Sequence, residues 1–375
     1  MEALRLIQLG VDHPHGELYR ATIAHHDGIE LVGGYDQRPD RAASLLATEG
    51  VELPLFGDID EAIAALRPDA VLITLPNDVT PDAILASANQ GLGIFAEKPC
   101  AVTAAAFLPA HNAVRDRRVP FVAAYLRRFS PVATAMRDLI ADGVIGDLVS
   151  AQVTFATRNV PWRNAAYLAG GGIERAAGTP HPESPPPPSL EEERHWLFDR
   201  ARSGGGIMHW LGVHWLDLLR FVGGDTFTHV RASLATRSGA PLGIDVEDVA
   251  SVTLESASGM IATVTCAYVL GSGPDQIGIA IQGTRGWMKW DGVGPEFFVH
   301  SDHPSWRVAP DRAFRYEATP VPGYSGAVGW EAFERFRAAI QEGGSLPGNV
   351  TDAQRVLELL DAIQRSDREG RRVAV

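Results

Sequence analysis

Lys98 is one of only two lysines in a chain that otherwise carries its positive charge on arginine, and it lies in the stretch "FAEKPC". A lysine can accept a proton near neutral pH once desolvation or a nearby cation lowers its pKa, whereas an arginine in a protein stays protonated. We therefore predict that Lys98 is a catalytic base, and the alternative is a solvated lysine at the end of a strand.

Histidines form the second group with chemical potential. His214, with an ordinary pKa of about 6.5, can exchange protons at physiological pH. His13 and His15 form an H-x-H pair that, with His209 and His214, could instead hold a metal ion in a hydrolase or lyase. No regular carboxylate spacing accompanies these histidines, which favours the proton-transfer role, and we predict no metal site.

Positioning such groups requires a rigid framework, and the first third of the chain predicts one. Short apolar runs alternate with amphipathic segments in "LRLIQLG", "IELVGGYD", "AVLITLP" and "GIFAEKP", each followed by a predicted helix. Nearly continuous apolar strands between helices are typical of a parallel sheet covered on both faces. Ligands of such doubly wound α/β sheets bind at the carboxyl ends of the strands, where Lys98 lies.

After residue 126 the pattern changes to alternating strands such as "LVSAQVTFAT" and "QIGIAIQG", which predict a mostly antiparallel open sheet in an α+β domain. We predict a doubly wound domain over residues 1–126 and an α+β domain over 127–349, with a long loop at about 163–194. A helix at about 350–370 should pack back on the first domain.

Composition limits the partners. A formal charge of −13 argues against a nucleic-acid surface, and no apolar stretch is long enough to span a membrane. The cysteines, Cys100 and Cys266, match no metal or disulfide pattern and read as buried residues of a reducing compartment. We expect a cytoplasmic protein with a small-molecule partner.

Four segments occur in one order: "EKP", "LRRFSP", "GGGIMHWLGVHWLD" and "AIQRSDREGRRVAV". Together they resemble the Gfo/Idh/MocA family of NAD(P)-dependent dehydrogenases over nearly the full length. The resemblance implies a Rossmann domain, a C-terminal domain whose sheet forms dimers or tetramers, and a cofactor that is NAD or NADP. It also implies hydride exchange with a sugar, a polyol or a related cyclic alcohol or ketone.

The family's first loop usually reads G-x-G-x-x-G, and here "GVDHPHG" keeps only its outer glycines. Asp36 is placed to accept hydrogen bonds from the adenosine ribose, which favours NAD, while Arg38 could contact the 2′-phosphate of NADP. The "LPN" turn resembles the family's segment near the nicotinamide ribose. The expected cofactor-binding residues are Gly10, Val11, Asp12, His13, Asp36, Arg38, Leu75, Pro76, Asn77, Glu97 and Lys98.

The resemblance also implies a cis bond between Lys98 and Pro99, and a catalytic role for His214 with Lys98. The family's aspartate four residues before this histidine is replaced here by Trp210, which predicts an unusual substrate. His209 lies one residue earlier and should point about 100° away on a regular helix. Further residues expected at the substrate are Arg127, Trp162 and Asp217. A non-catalytic binding protein on the same scaffold stays open as an alternative.

Overall fold

A six-stranded parallel sheet organises the first part of the chain in this computed structural model, which describes residues 2–158, 160, 195–268, 274–317 and 319–375. Its strand order is β3-β2-β1-β4-β5-β6, and every neighbouring pair is parallel. The order in which strands are added to the sheet reverses between β1 and β4, as in nucleotide-binding doubly wound folds. The strands are β1 (Leu4–Leu9), β2 (Ile29–Tyr35), β3 (Leu55–Phe56), β4 (Ala70–Ile73), β5 (Gly93–Ala96) and β6 (Phe121–Ala123).

Helices follow these strands at the predicted places. Side chains of Asp58 and Thr103 accept hydrogen bonds from the first turns of α3 and α5, which fixes where those helices begin. The described helices are α1 (Gly16–Ala24), α2 (Pro39–Glu49), α3 (Ile59–Leu66), α4 (Thr80–Asn89), α5 (Ala104–Arg117), α6 (Pro131–Ala141), α7 (Arg200–Ser203), α8 (Val213–Gly223), α9 (Ala327–Gln341) and α10 (Val350–Glu369).

A nine-stranded sheet forms the framework of the second part, in the order β14-β13-β12-β11-β7-β10-β9-β8-β15. Only β7 and β10 are parallel neighbours, and the other pairs are antiparallel. The strands are β7 (Leu148–Thr157), β8 (Phe227–Ala235), β9 (Val249–Ser256), β10 (Ile261–Tyr268), β11 (Gln276–Gly283), β12 (Gly286–Trp290), β13 (Glu296–Ser301), β14 (Asp311–Arg315) and β15 (Val373–Ala374). The predicted fold class, a Rossmann sheet followed by a mostly antiparallel sheet, is confirmed.

The described residues divide into two units. The first holds residues 2–124, 195–204 and 320–354, and the second holds the remainder. Helix α10 occurs where a helix was predicted, begins in the first unit and belongs to the second from residue 355. Its packing against the first domain stays a prediction, as do the predicted domain boundaries.

Cys100 and Cys266 are both buried, as expected, and both are free thiols. Burial raises the pKa of Cys266 to about 12. Within the described ranges, every helix is too short or too polar to cross a lipid bilayer.

Candidate active site

The loop after β1 makes a tight turn at the carboxyl end of the sheet. Gly10 has a φ of +94°, and a Cβ there would lie 2.6 Å from the carbonyl oxygen of Thr74. A Cβ on Gly16 would lie 2.6 Å from the carbonyl oxygen of Val11. "GVDHPHG" lacks the central glycine of the usual fingerprint, and its two glycines lie six positions apart rather than five. Both glycines nevertheless stand where no side chain fits. The loop therefore holds β1 and α1 close together, as a dinucleotide site requires.

Asp36 follows the last residue of β2, and its side chain is fixed by two backbone groups. Oδ2 accepts from the amide of Asp12 at 3.0 Å, and Oδ1 accepts from the amide of Arg38 at 2.9 Å. The buried carboxylate is thus oriented before any ligand arrives, at the position where Rossmann folds bind the adenosine ribose.

Asp12 turns towards two arginines. Its Oδ2 lies 2.9 Å from Arg38 Nη2 and 2.8 Å from Arg41 Nε. Burial raises the pKa of Asp12 to about 6, although Arg41 and Arg38 oppose that rise. A carboxylate in this loop would repel a pyrophosphate, and the contacts with Arg38 and Arg41 offset part of that repulsion.

The "LPN" turn after β4 is buried at Leu75 and Asn77. Asn77 Nδ2 donates to the carbonyl oxygen of Ser203 at 2.8 Å, so the amide anchors the end of α7. Thr80 is the first residue of α4 rather than its N-cap, and its hydroxyl donates to the carbonyl oxygens of Leu75 and Pro76. The turn is thus fixed from both sides.

Glu97 and Lys98 follow β5. The peptide bond between Lys98 and Pro99 is cis, as the resemblance implies. Glu97 Oε1 lies 2.6 Å from Nδ1 of His15 and 2.8 Å from the hydroxyl of Tyr19. Its Oε2 accepts from the Lys98 amide at 2.9 Å and lies 3.8 Å from Lys98 Nζ. Burial alone would raise the pKa of Glu97, but Lys98 and His15 outweigh it and hold that pKa well below its usual value.

Aromatic rings surround this carboxylate. The ring of Tyr324 stacks on His15 with centroids 4.3 Å apart, and His13 lies 5.1 Å from His15 and 5.9 Å from Trp196. Burial lowers the pKa of His13 well below its usual value, and His15 lowers it further. His195, also in this unit, has its pKa lowered to about 3 by burial and by the arginines 41, 38 and 202. Both imidazoles are therefore neutral.

In the second unit, the segment that carries Trp210 and leads to His214 is not a regular helix. Met208–Gly212 forms a π-helical turn that leads into α8. The expected angle of about 100° between positions 209 and 210 assumed α-helical spacing, and the wider π turn makes that angle smaller. Trp210 and His214 are 6% and 8% exposed, and the ring of Trp210 lies 6.2 Å from that of Tyr268. Such π turns are frequent at functional sites.

Two neighbouring arginines differ in their surroundings. Arg127 lies over the ring of Trp215 at 4.4 Å, and its Nε donates to the carbonyl oxygen of Gly292 at 3.3 Å. Arg128 binds both carboxylate oxygens of fully buried Asp217, at 2.7 to 3.0 Å. This ion pair gives Asp217 a structural role, and its contact with substrate stays a prediction. Trp162 and the predicted loop at 163–194 lie outside the described residues.

Sequence reasoning noted His15 only as half of a possible metal pair, and it missed Tyr19, Arg41 and Tyr324. The four-residue spacing of His15 and Tyr19 at the start of α1 could have identified one shared face. Among the residues described, no group of three or more histidines, cysteines or carboxylates is arranged to hold a metal ion.

Two models of the same protein family match consecutive parts of this chain. Residues 11–125 match the family model described as "Oxidoreductase family, NAD-binding Rossmann fold", and residues 133–289 match "GFO/IDH/MocA C-terminal domain". Inositol 2-dehydrogenase of Rhizobium meliloti is 26% identical over 361 residues, covering 96% of each chain. Levoglucosan dehydrogenase of Pseudarthrobacter phenanthrenivorans is 25% identical over 327 residues, covering 78% of this chain and 76% of that one.

A solved structure of levoglucosan dehydrogenase in complex with NADH and levoglucosan has a TM-score of 0.80 over the full length of both chains, at 22% identity. That likeness concerns the fold. The family models carry the further conclusion, because both halves of the chain match the same family: this protein is a member of the Gfo/Idh/MocA family of NAD-binding oxidoreductases.

Proposed function

We propose that this oxidoreductase transfers a hydride between NAD and a carbinol carbon of a sugar, a polyol or a related cyclic alcohol or ketone. The observation that carries the proposal is Lys98, whose side chain is 8% exposed after β5, at the same carboxyl edge of the parallel sheet as Gly10 and Asp36. The relatives named above act on inositol and on levoglucosan, which are cyclic polyols or sugar derivatives.

In the oxidation direction, Lys98 as the neutral amine takes the hydroxyl proton while the C–H electron pair leaves as hydride. The products are the ketone and the protonated lysine. NAD, when bound, supplies the hydride acceptor. His214 is proposed as the second group that exchanges protons with substrate, and Trp210 and Arg127 as residues that orient it.

Asp36 is proposed to bind the adenosine ribose, with the loop Gly10–His13 and the turn Leu75–Asn77 completing the cofactor side. Asp12 supports NAD over NADP. A 2′-phosphate would have to compete with the Asp12 carboxylate for Arg38 and Arg41, which that carboxylate already contacts.

The nine-stranded sheet is the proposed surface for a dimer or tetramer. Exposed apolar side chains on its strands, Val149, Ile261 and Phe298, support this assignment. The cytoplasmic location expected from the sequence stays a prediction.

Replacement of Lys98 tests the reaction. Lys98→Met should lower kcat by about 10²- to 10⁴-fold, the range typical for loss of a general base, while NADH binding read by fluorescence stays close to wild type. Lys98→Arg keeps the positive charge but cannot lose its proton, so it should be as inactive as Lys98→Met. Lys289→Met changes the exposed lysine and serves as the matched control. Near-normal turnover in Lys98→Met would remove the base from its assigned role.

A further inference from the structure

His15 occupies a place in the cofactor loop where the family pattern requires no histidine, yet it makes the shortest contact to Glu97. We propose that His15 is a positioning residue for the reaction. Its Nδ1–H draws the negative charge of Glu97 away from the Lys98 ammonium and so favours the neutral amine of Lys98, which is the form that accepts a proton. This inference rests on the proposed function of Lys98.

The direction of the hydrogen bond follows from chemistry. An ionised carboxylate only accepts, so His15 Nδ1, 2.6 Å from Glu97 Oε1, carries the proton. Tyr19 donates its hydroxyl to the same oxygen at 2.8 Å. Burial raises the pKa of Tyr19 well above its usual value, and Glu97 raises it further, so this donor keeps its proton throughout the working range.

The two oxygens of Glu97 therefore face different partners. Oε1 has two hydrogen-bond donors, His15 and Tyr19, and Oε2 has the Lys98 amide at 2.9 Å with Lys98 Nζ at 3.8 Å, beyond hydrogen-bond distance. A carboxylate whose charge is shared in this way stabilises the ammonium less than one that binds it directly. Lysine must lose its proton to act as a base, so weaker stabilisation of the ammonium favours the active form.

The titratable groups that face Glu97 are His13, His15, Tyr19, Lys98 and Cys100. Tyr324 lies behind them, against the rings of His15 and Tyr19. Burial keeps His13 neutral, and burial raises the pKa of the Cys100 thiol far above its usual value. Lys98 is thus the cation of this group whose charge depends most directly on how Glu97 is shared.

The chain has two lysines, so the ionisation of Lys98 can be read without turnover. In protein labelled with ¹³C-lysine, the Cε signal of Lys98 is assigned with Lys98→Met and titrated in the absence of cofactor, with Lys289 as internal reference. In His15→Ala, the midpoint for Lys98 should rise by about one pH unit relative to wild type, as loss of one hydrogen bond to a charged group implies. The acidic limb of the kcat profile should move by the same amount.

His15→Asn, which can keep a donor near the position of Nδ1, should restore most of the shift. His25→Asn, at an exposed histidine after α1, should change nothing. Should His15→Ala fail to fold, Tyr19→Phe removes the second donor to Oε1 with little change of shape and should shift Lys98 in the same direction.

An unchanged Lys98 midpoint in folded His15→Ala or Tyr19→Phe would overturn the inference. A shifted midpoint without a shifted kcat profile would instead uphold the effect of His15 on Lys98 and contradict Lys98 as the base. The two failures are therefore distinguishable.

Discussion

Two buried carboxylates, one in each unit, show how differently a negative charge can be satisfied. In the first unit, Glu97 is held by His15, Tyr19 and a backbone amide, with the Lys98 ammonium 3.8 Å away. In the second, Asp217 is bound by Arg128 through several contacts of 2.7 to 3.0 Å. The Arg128–Asp217 pair holds both charges fixed, whereas the hydrogen-bond donors around Glu97 leave the ionisation of the neighbouring Lys98 adjustable. Glu97 is therefore suited to tune a neighbouring catalytic group, and Asp217 is suited to stabilise the fold.

The largest effect should come from breaking the structural pair. Asp217→Asn leaves the Arg128 guanidinium buried with its countercharge removed, and loss of one partner of a buried pair typically costs about 3–5 kcal/mol of unfolding free energy. Urea denaturation followed by far-UV circular dichroism would measure this loss. The double change Arg128→Met with Asp217→Leu should recover much of the stability, because no lone charge then remains.

Asp138→Asn supplies the control, since it breaks the exposed Arg137–Asp138 pair and should cost less than about 1 kcal/mol. Equal losses in Asp138→Asn and Asp217→Asn would mean that the buried pair is not the stronger structural element.

Asp12 is intermediate between Glu97 and Asp217, because it is a buried carboxylate that faces two partly exposed arginines. Its pKa is raised from 3.8 to about 6 in the folded protein, so the folded state binds more protons than the unfolded state between those pH values. Stability contributed by protonated Asp12 is therefore present below about pH 4 and lost as the pH rises through 6. The unfolding free energy of wild type should fall by up to about 2–3 kcal/mol relative to Asp12→Asn between pH 4 and pH 7.

Measurement of both proteins by urea denaturation at several pH values would check this sign. A wild type that gains stability over Asp12→Asn on going from pH 4 to pH 7 would show that the arginines, rather than burial, dominate. Asp12→Asn should also raise the affinity for NADPH relative to NADH by about tenfold, because Arg38 and Arg41 are then released from the Asp12 carboxylate and can bind a 2′-phosphate. Fluorescence titrations with the two cofactors would measure this ratio.

The smallest effect tests whether the second unit recognises substrate through aromatic surface. Trp210→Phe should lower kcat/KM by about tenfold, mainly through KM, because a smaller ring buries less of a bound molecule. Trp306→Phe is the matched control, being a tryptophan of the same unit with nearly the same exposure, 5% against 6%. Equal kcat/KM values in the two variants would argue against a substrate contact at Trp210.

Much of the fold and part of the site could be read from residue order. Apolar runs predicted β1, β2, β4 and β5, since a strand buried on both faces needs little besides apolar side chains. The short β3 and β6, with two and three residues, carried too little pattern to be recognised. Asn349 and Thr351 both suit a cap of the last helix by residue type, and it is Asn349 that accepts from the amides of residues 351 and 352. Several polar residues near a helix start compete as caps, and local geometry selects one.

By itself, the sequence determined the parallel and mostly antiparallel sheets, the family, and the choice of lysine over arginine at position 98. These depend on periodicity and residue type, which are local properties. The partners of Glu97 were decided only by the tertiary structure, because His15 lies 82 positions away along the chain and reaches it across the sheet edge. Tertiary packing likewise decided the π turn at Trp210 and the contacts of Asp12 with Arg38 and Arg41. Such distances and burial set the pKa values on which the proposed chemistry depends.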